Sequence, residues 1–190
     1  MLRPSPGTAT EDDALALLES PRKRICELID GTLIEKAKGF RESLLASYLL
    51  VLLDRFVRPR NLGLVVGADT FQRLWPGRLR VPDVAFSAWS AFPERRVPTA
   101  AIPDLVPDLA IEVLSKSNTR REMALKRDDY FKTGTQLVWE IDPRKGRVSV
   151  YTSPKDVTVL LRSDTLTGDP VLPGFSLPLA ELFSELDRRG

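Results

Sequence analysis

The sequence contains no histidine and only one cysteine in 190 residues. Without histidine, the Ser-His-Asp and Cys-His catalytic arrangements are excluded, and so are zinc sites that use histidine ligands. The single Cys26 cannot form an internal disulfide, and its setting in "RICELID" is typical of a buried strand. Acid–base chemistry must therefore use Asp, Glu, Lys, Tyr or water. A bound metal would be held mainly by oxygen, which favours magnesium, manganese or calcium over zinc.

Long apolar runs and a strong net charge are also missing. No stretch approaches the ~20 apolar residues of a membrane-spanning helix, and the apolar run at 44–53 is too short. The first 13 residues lack the apolar core of a signal peptide, so we expect a cytoplasmic location and no membrane association. The formal net charge of +2 is too small to imply nucleic acid binding by itself. A local basic face is still possible, because Arg and Lys cluster at 55–60, 73–80, 94–96 and 116–127.

The composition is that of a globular chain with a core of its own. Hydrophobic residues make up 43% and charged residues 28%, and we expect one domain over residues 1–190. Thr10, followed by three acids, predicts the start of a short first helix. Asp30-Gly31 between two apolar runs predicts a β-hairpin.

The remaining segments alternate between helices and strands. We predict a helix from Phe40 to before Pro59, strands over 62–71, 79–86 and 108–114, a surface excursion over 87–107, a helix from about Thr119 to Thr133, strands in "TQLVWEID", "RVSVYT" and "VTVLL", and a final helix in "PLAELFSELDRR". This order predicts an α/β domain of the mixed α+β kind, built around one sheet.

Three acids interrupt the apolar strands. Asp108 and Glu112 lie on one strand four residues apart, which is roughly 13 Å and too far for two ligands of one ion. Asp83 lies on another strand, and neighbouring strands are only ~4.8 Å apart. We therefore predict that Asp83 and Glu112 share one metal ion and that Asp108 marks a strand start. Each acid could instead be paired with an arginine, since a buried carboxylate needs some partner.

The residues around these acids resemble a known family. The stretches that carry the resemblance are "CELIDGTLI" at 26–34, "VPDVAF" at 81–86, "LAIEVLSKSNTRREMALKRDDYFKTG" at 109–134 and "VWEIDP" at 138–143. They are similar to the PD-(D/E)XK nuclease fold and, in finer pattern, to its restriction endonuclease-like Uma2 branch. The resemblance covers most of residues 8–183. It implies a central mixed β-sheet flanked by helices, preceded by an N-terminal helix and a β-hairpin.

The resemblance also implies an activity. A member of this fold is expected to be an endonuclease that depends on Mg²⁺ or Mn²⁺ and hydrolyses DNA. Asp83, Glu112 and the carbonyl of Val113 would then hold the metal. The alternatives from other classes are an inactive nuclease-fold protein that binds nucleic acid or a protein partner, and a structural oligomer whose acids form internal ion pairs.

The motif's lysine is displaced in this chain. Leu114 stands where the motif has lysine, and the resemblance points to Lys126 on the following helix as the group that assists water or phosphate. Glu122, Lys126 and Tyr130 share one helical face, which could also be a solvated stripe of ion pairs. Lys116 is the competing lysine. We expect Lys126→Ala to abolish cleavage and spare the fold, and Lys116→Ala to have little effect.

Further residues could join the site. Glu27 or Glu42 could reach the metal, although Glu27 could equally be a strand-surface acid and Glu42 a first-turn helix acid. The arginines shortly before Asp83 could contact phosphates or form a solvated loop face; they are Arg73, Arg78 and Arg80.

Aromatic residues in loop-like sequence suggest association of subunits. Trp75, Trp89 and Phe92 are candidates for interface anchors, which predicts a homodimer or a higher homo-oligomer. The alternative is a small aromatic cluster within one chain.

Overall fold

The structure, a computed structural model, describes residues 4–36 and 39–189. Within these residues the α-helices are α1 Glu11–Glu19, α2 Phe40–Val57, α3 Arg120–Lys132 and α4 Leu179–Ser184. The β-strands are β1 Cys26–Ile29, β2 Thr32–Glu35, β3 Gly63–Gly67, β4 Gln72–Trp75, β5 Arg78–Arg80, β6 Val84–Ala88, β7 Leu109–Val113, β8 Leu137–Asp142, β9 Arg147–Tyr151, β10 Val157–Leu161, β11 Thr165–Gly168 and β12 Leu172–Pro178.

The predicted helix starts and the predicted hairpin are confirmed. Thr10 and Thr119 are the N-caps of α1 and α3, and each forms a capping box with the acid three residues later. Asp30 and Gly31 have φ angles of 48° and 69°, which is the left-handed backbone that a tight two-residue hairpin requires. This turn pairs β1 with β2.

The central sheet is mixed, as the resemblance implies. Its strand order is β10-β9-β8-β7-β6-β3, in which β7 and β8 are parallel and the other neighbours are antiparallel. Helix α2 packs on one face, where Leu45, Leu49 and Leu53 share a core with Ile111 and Trp139. Helix α3 lies on the opposite face, where its Tyr130 packs with Ala110 and Val138.

The prediction of a single sheet is wrong. A second sheet has the order β2-β1-β5-β4, and β11 pairs with β12 in a third. The strand predicted over 79–86 divides into β5 and β6, which belong to different sheets. Pro82 lies between them and has no N–H group to continue a ladder, so the chain leaves one sheet and enters the other at this point.

The loop aromatics pack within the chain. Trp89 and Phe92 form an edge-to-face pair with centroids 5.4 Å apart, and Phe92 is buried. Trp75 ends β4 and lies beneath the side chains of Arg78 and Lys132. These contacts fit the alternative in which the aromatics pack within one chain, and a role as subunit anchors stays a prediction. Among the described residues, no helix is long and apolar enough to cross a membrane.

Candidate active site

Asp83 and Glu112 lie side by side at the junction of β6 and β7, and Glu112 faces α3. The N–H of Asp83 donates to the carbonyl of Ile111 at 2.9 Å, which extends the antiparallel pairing of β6 with β7. Asp83 Oδ2 in turn accepts the N–H of Val113 at 2.6 Å. Side chains alternate along a strand, so Glu112 points away from the α2 core that contains Ile111 and Val113. The predicted adjacency of the two acids is confirmed.

The ammonium of Lys36 lies between these two carboxylates. Its Nζ is 3.0 Å from Asp83 Oδ1 and 3.5 Å from Glu112 Oε2, and it also donates to the carbonyl of Val81. Three oxygen atoms therefore line one cation position, two from the segment between β5 and β6 and one from β7. The sequence analysis missed Lys36. Its signal was weak, since it consisted only of a lysine directly after the hairpin motif.

Lys126 reaches Glu112 from the other side, as predicted. Its Nζ lies 3.3 Å from each oxygen of the Glu112 carboxylate and 3.1 Å from Glu27 Oε1. Tyr130, one helical turn further along α3, donates its hydroxyl to Glu112 Oε1 at 3.0 Å. Lys126 and Tyr130 are both buried, so they do not belong to a solvated stripe.

Glu27 belongs to the same cluster and is not a strand-surface acid. It is 3% exposed, and its carboxylate accepts the N–H of Val81 at 3.2 Å and an Arg80 N–H at 2.8 Å. Arg80 also donates to Asp129 of α3. Because Arg80 is 1% exposed between two carboxylates, its guanidinium cannot contact a phosphate in this arrangement.

The electrostatics of the cluster favour the charged forms of Glu27, Lys126 and Lys36. Burial opposes ionisation of Glu27, but Lys126 and Arg80 outweigh it and lower the pKa of this carboxyl. Burial likewise opposes the charge on Lys126, yet Glu112 and Glu27 raise the pKa of that ammonium. The pKa of Lys36 is raised in the same way, where Glu112 and Asp83 overcome its burial.

Tyr130 stays neutral for two reasons. Burial raises the pKa of its hydroxyl well above the ordinary value, and the negative charge of Glu112 raises it further. The hydroxyl is therefore a permanent hydrogen-bond donor to Glu112.

Three other predicted residues are placed outside the cluster. Glu122 occupies the capping box of α3 and accepts a hydrogen bond from Asn118, so it does not share the inward direction of Lys126. Arg73 pairs with Glu11 and Asp104 at the end of the small sheet.

Arg78 is also engaged elsewhere. Its guanidinium is 3.1 Å from Asp30 and lies over the Trp75 ring, and the residue is 7% exposed. The prediction that Arg73, Arg78 and Arg80 contact phosphates has no support in this geometry, because internal carboxylates hold all three.

A cavity of about 260 Å³ beside α2 reaches Asp83. Lys36 and Glu42, which lies in the first turn of α2, also line it. Glu42 therefore faces the same space as Asp83. A role for it in metal binding stays a prediction.

The donor set fits a divalent cation. Among residues 4–36 and 39–189 there is no cluster of three or more His, Cys, Asp or Glu arranged around a metal position. The position of the Lys36 ammonium is nevertheless lined by carboxylate oxygens of Asp83 and Glu112 and by a backbone carbonyl. Such oxygens are the ligands that Mg²⁺ and Mn²⁺ prefer, and the flexible lysine stem can withdraw. Whether the Val113 carbonyl adds a further ligand stays a prediction.

The chain is similar to a solved structure described as a putative nuclease belonging to the DUF820 family, from Anabaena variabilis. The TM-score is 0.75 at 26% sequence identity, and the match covers 93% of this chain and 98% of the other. No curated protein matches the chain.

A family model agrees with this likeness. The model named Uma2, described as "Putative restriction endonuclease", matches residues 12–180. That range contains the acids, Lys36, Lys126 and Tyr130, and it covers most of the chain. The protein therefore belongs to the Uma2 family.

Proposed function

We propose that this protein is a metal-dependent endonuclease that hydrolyses the phosphodiester bonds of DNA. The observation that carries the proposal is the convergence of Asp83 and Glu112 on one cation position, with the Lys126 ammonium on the far side of Glu112. Membership of a family described as "Putative restriction endonuclease" and the likeness to a structure described as a "putative nuclease" support the same chemistry.

Each residue of the cluster has a role in this proposal. Asp83 and Glu112 would hold Mg²⁺ or Mn²⁺, with the Val113 carbonyl as a further ligand. When bound, such an ion lowers the pKa of a water molecule and polarises the phosphate. Lys126, held by Glu27 and Glu112, presents a fixed positive charge to the developing charge on the phosphate. Tyr130 fixes the orientation of the Glu112 carboxylate.

The test is a cleavage assay with matched variants. Supercoiled plasmid and single- and double-stranded oligonucleotides are incubated with Mg²⁺ or Mn²⁺ and the wild-type protein, Asp83→Asn or Glu112→Gln. We expect cleavage by the wild type and none by Asp83→Asn or Glu112→Gln. The control Glu19→Gln, which neutralises an exposed acid on α1, should keep full activity. Equal cleavage by wild type and Asp83→Asn would rule out the proposed site.

An inactive, nucleic-acid-binding or partner-binding protein is the second candidate. It is favoured by the Lys36 ammonium between the two acids and by Leu114 in place of the motif's lysine. Calorimetry separates the two functions. A nuclease should bind Mn²⁺ in a manner that requires both Asp83 and Glu112, whereas an inactive protein should show no such site.

We also propose a homodimer formed through the edge of the central sheet. Within the described part of the chain, β10 pairs with β9 alone. Three apolar side chains on one of its faces are 45%, 47% and 56% exposed; they are Val157, Val159 and Leu161. An exposed edge strand with an apolar row offers a second copy both backbone groups and apolar surface. Light scattering should give a dimer mass for the wild type and a monomer mass for Val159→Lys. A wild-type monomer at micromolar concentration would contradict the dimer.

With DNA as substrate, we also expect a cytoplasmic location.

A further inference from the structure

A second cleft lies beside Glu112 on the same face of the central sheet. It has a volume of about 480 Å³ and is bounded by the N-terminal end of α3 and by the turn between β8 and β9. Glu140 in its wall is the direct neighbour of Glu112 in the parallel pairing of β7 with β8. Adjacent strands are ~4.8 Å apart, so the cleft begins one strand away from the candidate active site.

The wall of this cleft is strongly cationic. Five basic side chains face two carboxylates, Glu140 and Asp142, which leaves a formal excess of three positive charges; the basic residues are Arg120, Arg127, Arg144, Lys145 and Arg147. The two carboxylates do not neutralise this excess. Glu140 is held by Arg127, and Asp142 lies 3.6 Å and 4.0 Å from the Arg144 and Lys145 side chains.

Several cationic groups remain available for a ligand. Arg144 and Lys145 have side chains that are 46% and 59% exposed. Arg120 forms no ion pair with a carboxylate in residues 4–36 or 39–189. Arg120, Arg144 and Lys145 are exposed, so their charged groups are the ones that an anion in the cleft can reach.

The helix adds to the positive field. Helix α3 has 13 residues and begins at the cleft with Arg120 after the N-cap Thr119, which also lines the wall. The N-terminal end of a helix of this length carries a partial positive charge and favours anions. The cationic side chains and the helix end therefore act in the same direction.

We infer that this cleft binds a backbone phosphate of the nucleic acid, next to the phosphodiester that lies at Asp83 and Glu112. The inference rests on the proposed function and names the part of the protein that holds its substrate. A phosphate accepts hydrogen bonds from several guanidinium groups at once. It therefore fits a concave cationic site better than the flat acidic surface of a protein partner does. The cleft takes the role that the sequence had suggested for Arg73, Arg78 and Arg80.

The test measures binding without cleavage. Fluorescence anisotropy with a labelled duplex of about 20 base pairs, in EDTA and over a series of salt concentrations, is applied to the wild type, Arg120→Gln and the double variant Arg144→Gln/Lys145→Gln. The matched control Arg22→Gln/Lys23→Gln removes the same charge from exposed positions in the turn that follows α1. Circular dichroism melts check that all variants are folded.

The expected results are specific to the cleft. We expect Arg144→Gln/Lys145→Gln to weaken binding about tenfold at about 100 mM salt and to reduce the slope of log K against log salt by about two, since each neutralised phosphate contributes roughly 0.9. Arg120→Gln should reduce the slope by about one, and the control should keep the wild-type slope. Equal loss in the control and the double variant would overturn the inference.

Two further outcomes separate the possibilities. Wild-type binding that depends on the cleft, without any cleavage in Mg²⁺ or Mn²⁺, would remove the proposed function and leave the phosphate site. Normal cleavage with unchanged binding by Arg144→Gln/Lys145→Gln would overturn the site alone. Inorganic phosphate and a nucleoside monophosphate serve as competitors. Complete displacement of the duplex by either at micromolar concentration would identify a small-phosphate site and overturn the nucleic acid inference.

Discussion

At the scale of single residues, the candidate site is a balance of buried charges. Lys126 is 2% exposed and compensates Glu27 and Glu112, while Lys36 compensates Asp83 and Glu112. Removing one member of such a set leaves a buried charge without its partner, which is far more costly than losing an exposed pair. The same side chains therefore support both the chemistry and the fold.

Lys126→Met is expected to destabilise the protein as well as to abolish cleavage. The earlier expectation that a substitution here spares the fold changes, because the ammonium is buried between two carboxylates. Urea denaturation without metal should show a loss of about 3 to 5 kcal/mol in the free energy of unfolding. Mn²⁺ should restore part of this loss by supplying positive charge. Exposed Lys116→Met should change the free energy by less than about 0.5 kcal/mol. Equal stability of Lys126→Met and wild type would show that the pair is not formed.

Lys36→Met is expected to tighten metal binding. The Lys36 ammonium lies at the position where Asp83 and Glu112 would hold an ion, so lysine and metal compete. Titration calorimetry with Mn²⁺ should show roughly tenfold higher affinity for Lys36→Met, which corresponds to ~1.4 kcal/mol. Lys23→Met, at an exposed position, is the control. Weaker metal binding by Lys36→Met would mean that Lys36 supports the site instead of competing for it.

At the scale of elements, α3 connects the two clefts. It presents Lys126 and Tyr130 to Glu112, and Arg127 to Glu140 of the neighbouring strand. The capping box of Thr119 and Glu122 stabilises its first turn. The Glu122 carboxylate therefore caps the helix and does not point at the proposed metal position. Because the capping box sets the residue at which α3 begins, it also sets which side chains of the helix face the sheet.

Thr119→Ala is expected to lower stability by about 1 kcal/mol, because it removes the hydroxyl that accepts the N–H of Glu122. Thermal denaturation followed by circular dichroism measures the change. Ser117→Ala, in the preceding turn, removes a hydroxyl that contacts only Ser115 among the described side chains and is the matched control. A larger loss in Ser117→Ala than in Thr119→Ala would contradict the capping role.

At the scale of the whole molecule, a buried ionic network joins the small sheet to α3. Arg80 of β5 donates to Glu27 of β1 and to Asp129 of α3, and all three are buried. Glu27 also forms an ion pair with Lys126, and Lys126 forms one with Glu112 of the central sheet. Arg80 therefore helps to hold the small sheet against α3.

Arg80→Met is expected to lower the free energy of unfolding by about 3 kcal/mol, since it removes the guanidinium that two buried carboxylates share and leaves Glu27 with Lys126 and Asp129 with the more distant Arg78. Chemical denaturation is the measurement, and the exposed Arg22→Met is the control. At a temperature where the variant is folded, its DNA binding should keep the wild-type dependence on salt. A reduced salt slope with unchanged stability would return Arg80 to the role of a phosphate contact.

The sequence by itself determined the local elements and the chemical class of the site. Thr10, Thr119 and the Asp30-Gly31 turn act within a few residues of their own positions, so their effect is visible in the order of residues. The pairing of Asp83 with Glu112 followed from the spacing between strands, and the placement of Lys126 followed from the family's pattern and the helical repeat.

Only the tertiary structure decided which cations meet these acids. Pro82 transfers the chain from one sheet to another, and no local pattern fixes how two sheets approach each other. That approach brings Lys36 between Asp83 and Glu112 and buries Arg80 between Glu27 and Asp129. A lysine or arginine looks alike in sequence whether it is solvated or buried. The carboxylate with which such a side chain pairs is decided only when distant segments pack together and exclude water from the charged group.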